Sequence, residues 1–262
     1  MLPIGTIAQN LKMAMSNYGR STGLGEVTEL AGAVLVSSGV NYAVFNAAVI
    51  FEDLREQPGR ISSLLDEAAR FYQSRHLRWS CWVCDELLAP PDRSQLPRHM
   101  GALGLDWIAE HQGMFAEDLA PPARPLPYLE MRGVGDASSR LDFVQVSAQV
   151  FGLPGRIAQD IYGSEQFWNG GLTAWVGYTG NRPVTTAATA TAAGVVGVYS
   201  VATVFDHQRR GFAETITRHA LEEASKAAGT RRTILQSSAA GRRLYRKMGY
   251  RPQGRFLVYA SR

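Results

Sequence analysis

A chain of 262 residues, 45% hydrophobic and 19% charged with no low-complexity tract, has the balance of a soluble globular protein and excludes a disordered one. At this length one core gives way to two, so two domains of ordinary size are expected. The net charge of +4 is unevenly placed: residues 207–262 carry 13 Lys+Arg against 3 Asp+Glu, and the rest 14 against 20. A basic segment of this kind calls for an anionic partner, either nucleic acid or a phosphorylated cofactor.

Met1 to Arg20 lacks a basic region followed by an apolar core, so no secretion signal is expected. Val27 to Phe51 reads as strands broken at Ser37-Ser38-Gly39, and Asp53 to Leu77 as a helix burying Ile61, Leu64, Leu65, Ala68 and Ala69. The uncharged stretches Leu30–Phe51 and Pro183–Phe205 are long enough to cross a bilayer. Their β-branched content and turn residues suit paired strands instead, and no membrane span is expected.

Trp79 to Leu88 returns to strand, Pro90-Pro91-Asp92 stops it, and a helix follows from Ser94 to Leu103. Trp107 to Phe115 fits a strand or a loop. On a strand, Cys81 and Cys84 point to opposite faces, which excludes a disulfide between them. No second cysteine pair or spaced histidines complete a metal site, and two cysteines suit a reducing cytoplasm. Four prolines within Ala120–Pro127 lock the backbone and remove donors, so the domain boundary is placed there, giving units 1–122 and 123–262.

The second unit starts with a strand over Tyr128–Val134. A helix capped by Ser138 or Ser139 runs through Val150, and another leads from Pro154 to Gly163. Strands are expected at Leu172–Tyr178, Val184–Thr191 and Val195–Val204. Gln208-Arg-Arg-Gly-Phe-Ala213 then opens a helix that buries Phe212, Ile216, Ala220 and Ala224. A strand feeding a glycine turn and a helix start leaves backbone N–H groups free at the positive end of the helix dipole, a seat for phosphate. Arg231–Leu235 is the next strand, Ser237 or Ser238 caps a helix through Lys247, Gly249 ends it, and Phe256–Ala260 closes the chain. The first half loosely repeats this order, with Trp79–Leu105 matching Arg231–Tyr250, but offers carboxylates and Pro58 where the phosphate turn would stand.

Tyr128–Arg262 resembles the GNAT superfamily of acyl-CoA-dependent N-acetyltransferases. Two segments carry the likeness: Gln208–Ala213, fitting the family's Gln/Arg-x-x-Gly-x-Gly/Ala loop, and Leu235–Tyr250, ending in Leu-Tyr-Arg-Lys-Met-Gly-Tyr. The first half looks like the degenerate copy of tandem GNAT proteins. The resemblance implies an α/β fold: two GNAT-like domains, each a twisted mixed sheet flanked by helices, splayed between the family's fourth and fifth strands to admit acetyl-CoA as co-substrate. It places the pantetheine arm along Val201, Ala202 and Thr203, with Ser238 nearby. The pyrophosphate falls on Gln208, Arg209, Arg210, Gly211, Phe212 and Ala213. Tyr245 matches the acid that protonates the leaving thiolate. No glutamate stands on Val195–Val204 to act as base, leaving Glu165, Asp160, His207 or a water relay.

The expected activity is acetyl transfer to a primary amine by direct attack in a ternary complex, in the cytoplasm. The acceptor is an amine-bearing small molecule or peptide, and a homodimer is allowed for. The competing reading is a non-catalytic CoA-binding sensor or scaffold. Nucleic-acid binding is disfavoured, because the basic segment has no interleaved aromatics for stacking. Trp168 and Trp175 are candidates for an acceptor pocket, against a plain core role.

Overall fold

A computed structural model describes residues 2–262, built as a single sheet of eleven strands with helices on both faces. The first half supplies α1 (Ile4–Ser16), β1 (Glu26–Leu30), β2 (Ala33–Ser37), β3 (Ala47–Ile50), α2 (Arg60–Gln73), β4 (Ser80–Cys84), α3 (Pro90–Ala102) and β5 (Leu105–Ala116). The second supplies β6 (Glu130–Gly133), α4 (Ala137–Phe151), α5 (Gly155–Tyr162), α6 (Glu165–Trp168), β7 (Leu172–Thr179), β8 (Arg182–Ala192) and β9 (Val195–Thr203). It ends with α7 (Phe212–Ala228), β10 (Thr233–Ser237), α8 (Arg242–Lys247) and β11 (Arg251–Ser261).

The strand order is β1-β2-β3-β4-β11-β5-β10-β9-β8-β7-β6. From β1 inward the neighbours pair antiparallel, antiparallel, parallel, antiparallel. From β7 inward the same sequence recurs through β8, β9, β10 and β5. At the centre each half's last strand lies beside the other half's inner strand: β11 pairs with β4, β5 pairs with β10, and β5 and β11 pair with each other. The exchange gives the charge asymmetry a structural use. Arg231, Arg232, Arg242, Arg255 and Arg262 of the basic segment pair with Asp118, Glu117, Glu110, Asp85 and Asp106 of the first half.

Several boundaries differ from expectation for local reasons. Pro90 and Pro91 begin α3, because a first helical turn needs no N–H from its opening residues. Asp136, with Ser139 closing a capping box, starts α4. Gly241 precedes α8, and the Ser237 hydroxyl donates to the Ser238 carbonyl instead of capping the helix. Leu105–Ala116 is a strand throughout. Cys81 and Cys84 fall in separate cores on opposite faces, both as free thiols.

Helix α1 lies where the sequence reading placed no element. Its apolar residues Ile7, Ala8, Leu11 and Met15 pack on Val34, Val36 and Val49 of the first half and on Val195 and Ile234 of the second. Asn10, fully buried among them, donates to the carbonyls of Ala190, Ala192 and Val195 at 3.1 to 3.2 Å and accepts from the Tyr199 hydroxyl at 2.7 Å. It satisfies the turn between β8 and β9, and Gly197 leaves the space its amide fills. Asn10→Ala strands these groups without solvent and should lower stability by about 2–4 kcal/mol, read from denaturant midpoints at constant m-value. A loss below about 0.5 kcal/mol would show that the turn is held by other means.

Candidate active site

Strands β9 and β10 run parallel and register over three pairs, Val196 with Thr233, Gly197 with Ile234 and Val198 with Leu235. Beyond Val198 they part, and Tyr199–Thr203 has no partner on that side. The parting coincides with a bulge against β8, where the register slips between Thr186 and Ala188. Ser200 takes φ +50° there, a left-handed conformation that a non-glycine residue adopts at some cost. The Thr186 hydroxyl fixes the bulge by donating to the Ser200 carbonyl at 3.0 Å. The expected splay between the second unit's fourth and fifth strands is therefore present.

Val201, Ala202 and Thr203 line its β9 edge. At its end a 3-10 turn, Phe205–His207, carries the chain into Gln208–Gly211. Arg209 at φ +60° and Gly211 at φ +98° turn the backbone, and the Gln208 amide donates to the Thr203 carbonyl at 3.0 Å. Gly211 precedes α7 with no side-chain cap, and the Gly211 carbonyl receives its first helical bond from the Thr215 N–H. The N–H groups of Phe212, Ala213 and Glu214 come before that bond, so the helix offers free donors and its positive end. Arg209 and Arg210 are exposed and form no ion pair among the described residues.

Tyr245 projects from α8 into the apolar cluster of Val196, Val198 and Leu235, against which Val201 packs. Its ring lies beside Gly241, where a Cβ would stand 2.9 Å from Cε2. Burial raises the phenol well above its ordinary pKa, so it is protonated at neutral pH. Ser238 is exposed just past the end of β10. These residues come from three elements, and the topology gathers them around one splay.

The candidate bases are not gathered. Asp160 and Glu165 are exposed on α5 and α6, and the His207 ring lies between Asp206, at 3.0 Å, and the Thr179 hydroxyl, at 3.4 Å. Of the two tryptophans, Trp168 lines a cleft next to Ser200, together with Met15, Tyr18, Phe167 and Leu172. Trp175 packs on Ile216 and Ala220 and stacks edge-on against His219, away from that cleft. Sequence reasoning missed Met15 and Tyr18. The apolar spacing of Ile4, Ile7, Ala8, Leu11 and Met15 would have marked their helix.

The splayed parallel pair, the glycine turn at its end and the buried tyrosine of α8 thus all belong to the chain's second half. Residues 170–252 match the family model described as acetyltransferase (GNAT) domain. No curated protein matches the chain in sequence. Among solved structures it is similar to a GCN5-related N-acetyltransferase from Kribbella flavida, with 17% identity, 96% of this chain and 95% of that one covered, and a TM-score of 0.68. It is also similar to a functionally unknown conserved protein from Staphylococcus epidermidis, at 13% identity, 90% and 94% coverage and a TM-score of 0.62. A tandem GNAT protein from the clavulanic acid biosynthesis pathway aligns at 13% identity, 90% and 81% coverage and a TM-score of 0.56. At these identities the likeness is one of fold. Among the described residues no helix is long and apolar enough to cross a membrane.

Proposed function

We propose that the protein transfers an acetyl group from acetyl-CoA to a primary amine, with the second half holding the cofactor. The observation that carries this is the unpaired stretch of β9 leading into a helix start whose N–H groups are free. In this reading the backbone of Val201, Ala202 and Thr203 receives the pantetheine arm and Ser238 lies beside it. The N–H groups of Gln208 to Ala213 hold the pyrophosphate, with Arg209 and Arg210 adding charge. The amine attacks the thioester carbonyl, a C–N bond forms and the C–S bond breaks. One proton leaves the nitrogen for solvent, and Tyr245 gives one to the departing sulfur.

The first half, residues 1–122, is in this reading a copy that no longer binds cofactor, and residues 123–262 form the catalytic unit. The recurring strand order supports the duplication. The loss of function is supported by β3 and β4, which register over four pairs. Beyond them the Leu54 N–H still donates to the Leu87 carbonyl at 2.8 Å, where the second half has parted. The free, buried thiols of Cys81 and Cys84 suit a cytoplasmic setting.

Calorimetry with acetyl-CoA, followed by CoA-thiol release over a panel of amines, tests the activity. Binding in the micromolar range and amine-dependent thiol release are expected. Binding without turnover of any amine would favour a CoA sensor, and absence of binding would remove the reading altogether.

A further inference from the structure

His111, a residue of the first half, stands at the open end of the splay in the second. Strand β5 pairs with β10 from Ala116 to Gln112, opposite Thr233 to Ser237, and His111 is the next residue along β5. On the other side of β10 the Val196 N–H donates to the Arg232 carbonyl, so strand alternation turns the backbone groups of Ile234 and Gln236 toward β9 as well. Leu235 is the last β10 residue in register with β9, which leaves the Gln236 carbonyl facing into the splay. That carbonyl lies close enough to the His111 ring to favour its protonated form.

Alternation also fixes the face. Gln236 and His111 share the side of Ile234 and Phe115, in the core that α1 covers, whereas Leu235 and Met114 share the opposite side with Tyr245. The ring packs on Trp82 of β4, with centroids 5.2 Å apart. His111 Nδ1, the Trp82 N–H and the Gln236 side-chain amide are all enclosed without a hydrogen-bond partner, so three unmet polar groups gather on one face beside the splay. His111 as a whole is only part-buried, so its ring is not sealed off. Burial lowers the imidazole below its ordinary pKa, against the pull of the Gln236 carbonyl and with help from Arg242 of α8. Glu110 points to the other face, where it pairs with Arg242 at 3.1 Å and lies 3.7 Å from Arg255. Glu86 accepts from the Arg255 N–H at 2.8 Å and from the Cys84 thiol at 3.3 Å. Tyr199 and Cys84 are raised by burial and carry no charge at neutral pH. The ring is therefore a neutral imidazole with a nitrogen unengaged.

Building on the acetyltransferase reading, we infer that the His111 imidazole is the base that takes the proton from the attacking amine. The nitrogen bonds to the thioester carbonyl carbon as its proton passes to His111. The C–S bond breaks as Tyr245, from the other face, gives a proton to the sulfur. His111 then releases its proton to solvent and Tyr245 recovers one, so the cycle closes. Both groups are in their working state at neutral pH, and their opposite faces keep acid and base apart. Strand β9 needs no carboxylate, because the first half supplies the base through β5.

The test uses the full chain with saturating acetyl-CoA and follows CoA-thiol release with benzylamine, spermidine and a lysine-containing peptide. His111→Gln, which keeps a polar side chain but no base, should lower kcat about 10²-fold for each acceptor turned over, with the Kd for acetyl-CoA within about twofold. The parent's kcat should be level above about pH 6.5 and fall below it, whereas the variant's should climb about tenfold per unit to about pH 9 as hydroxide replaces the imidazole. Added imidazole should raise the rate of His111→Ala about fivefold or more. Should the variants fold poorly in thermal unfolding, nitrogen NMR of the parent decides. There His111 should titrate below about pH 6.5 and shift when acetyl-CoA binds, while His76 and His99 stay put. An unaltered kcat in His111→Gln, a loss of rate with the parent's pH profile and no imidazole rescue, or a His111 ring indifferent to acetyl-CoA would overturn the inference and leave the acetyltransferase reading standing. Failure of acetyl-CoA to bind, or of every amine to turn over, overturns that reading and the inference with it.

Discussion

Tyr245→Phe should lower kcat by about 10²-fold or more, some 3 kcal/mol of transition-state stabilisation, while leaving the Kd for acetyl-CoA within about twofold. The phenol is buried in the cluster of Val196, Val198 and Leu235, which flanks the splay, and desolvation holds it protonated. Removing one oxygen leaves the ring and its packing in place, so the variant isolates the proton from the core role. The raised pKa also fixes the sign of the pH dependence. Tyr245 keeps its proton through about pH 9, so it should impose no fall in rate on the alkaline side. Stopped-flow or steady-state thiol release, paired with calorimetry, separates the two constants. A variant with unchanged kcat would make Tyr245 a core residue only, and a matching loss of stability would say the same.

Gly211→Val should raise the Kd for acetyl-CoA by about 10- to 100-fold with a smaller effect on folding. Two constraints meet at this residue. Its φ of +98° lies where a β-branched residue is strained, and a Cβ there would stand 2.9 Å from Pro127 Cδ of the proline segment. The backbone must shift to relieve both, and the shift moves the N–H groups that open α7. Gly211→Ala meets the same contact with less strain at φ and should fall between the variant and the parent. Calorimetry with acetyl-CoA reads the change, and thermal unfolding controls for the fold. An unaltered Kd would place the pyrophosphate elsewhere.

Much of the candidate cofactor side was legible in the sequence because it is local. A β-branched run, a glycine turn and a helix with Phe212, Ile216, Ala220 and Ala224 on one face are contiguous, and each follows from conformational preference and periodicity. The same holds for Cys81 and Cys84, whose opposite faces follow from the pitch of a strand. Helix boundaries were less legible where one residue type serves two ends, as Pro90 and Pro91 do.

By itself, then, the sequence determined the mixed α/β class, the glycine turn before α7 and the helix that carries Tyr245, since neighbouring residues specify all three. Only the tertiary structure decided how the halves meet. Nothing in the pattern of Arg251–Ser261 says that it will lie between β4 and β5, because strand pairing depends on partners more than a hundred residues away. The composition of the cleft beside Ser200 was likewise invisible: Met15 and Tyr18 reach Trp168 and Ser200 only because α1 crosses from one half to the other. A turn can be read from its own residues, whereas a pocket gathered from distant segments exists only once the core has packed.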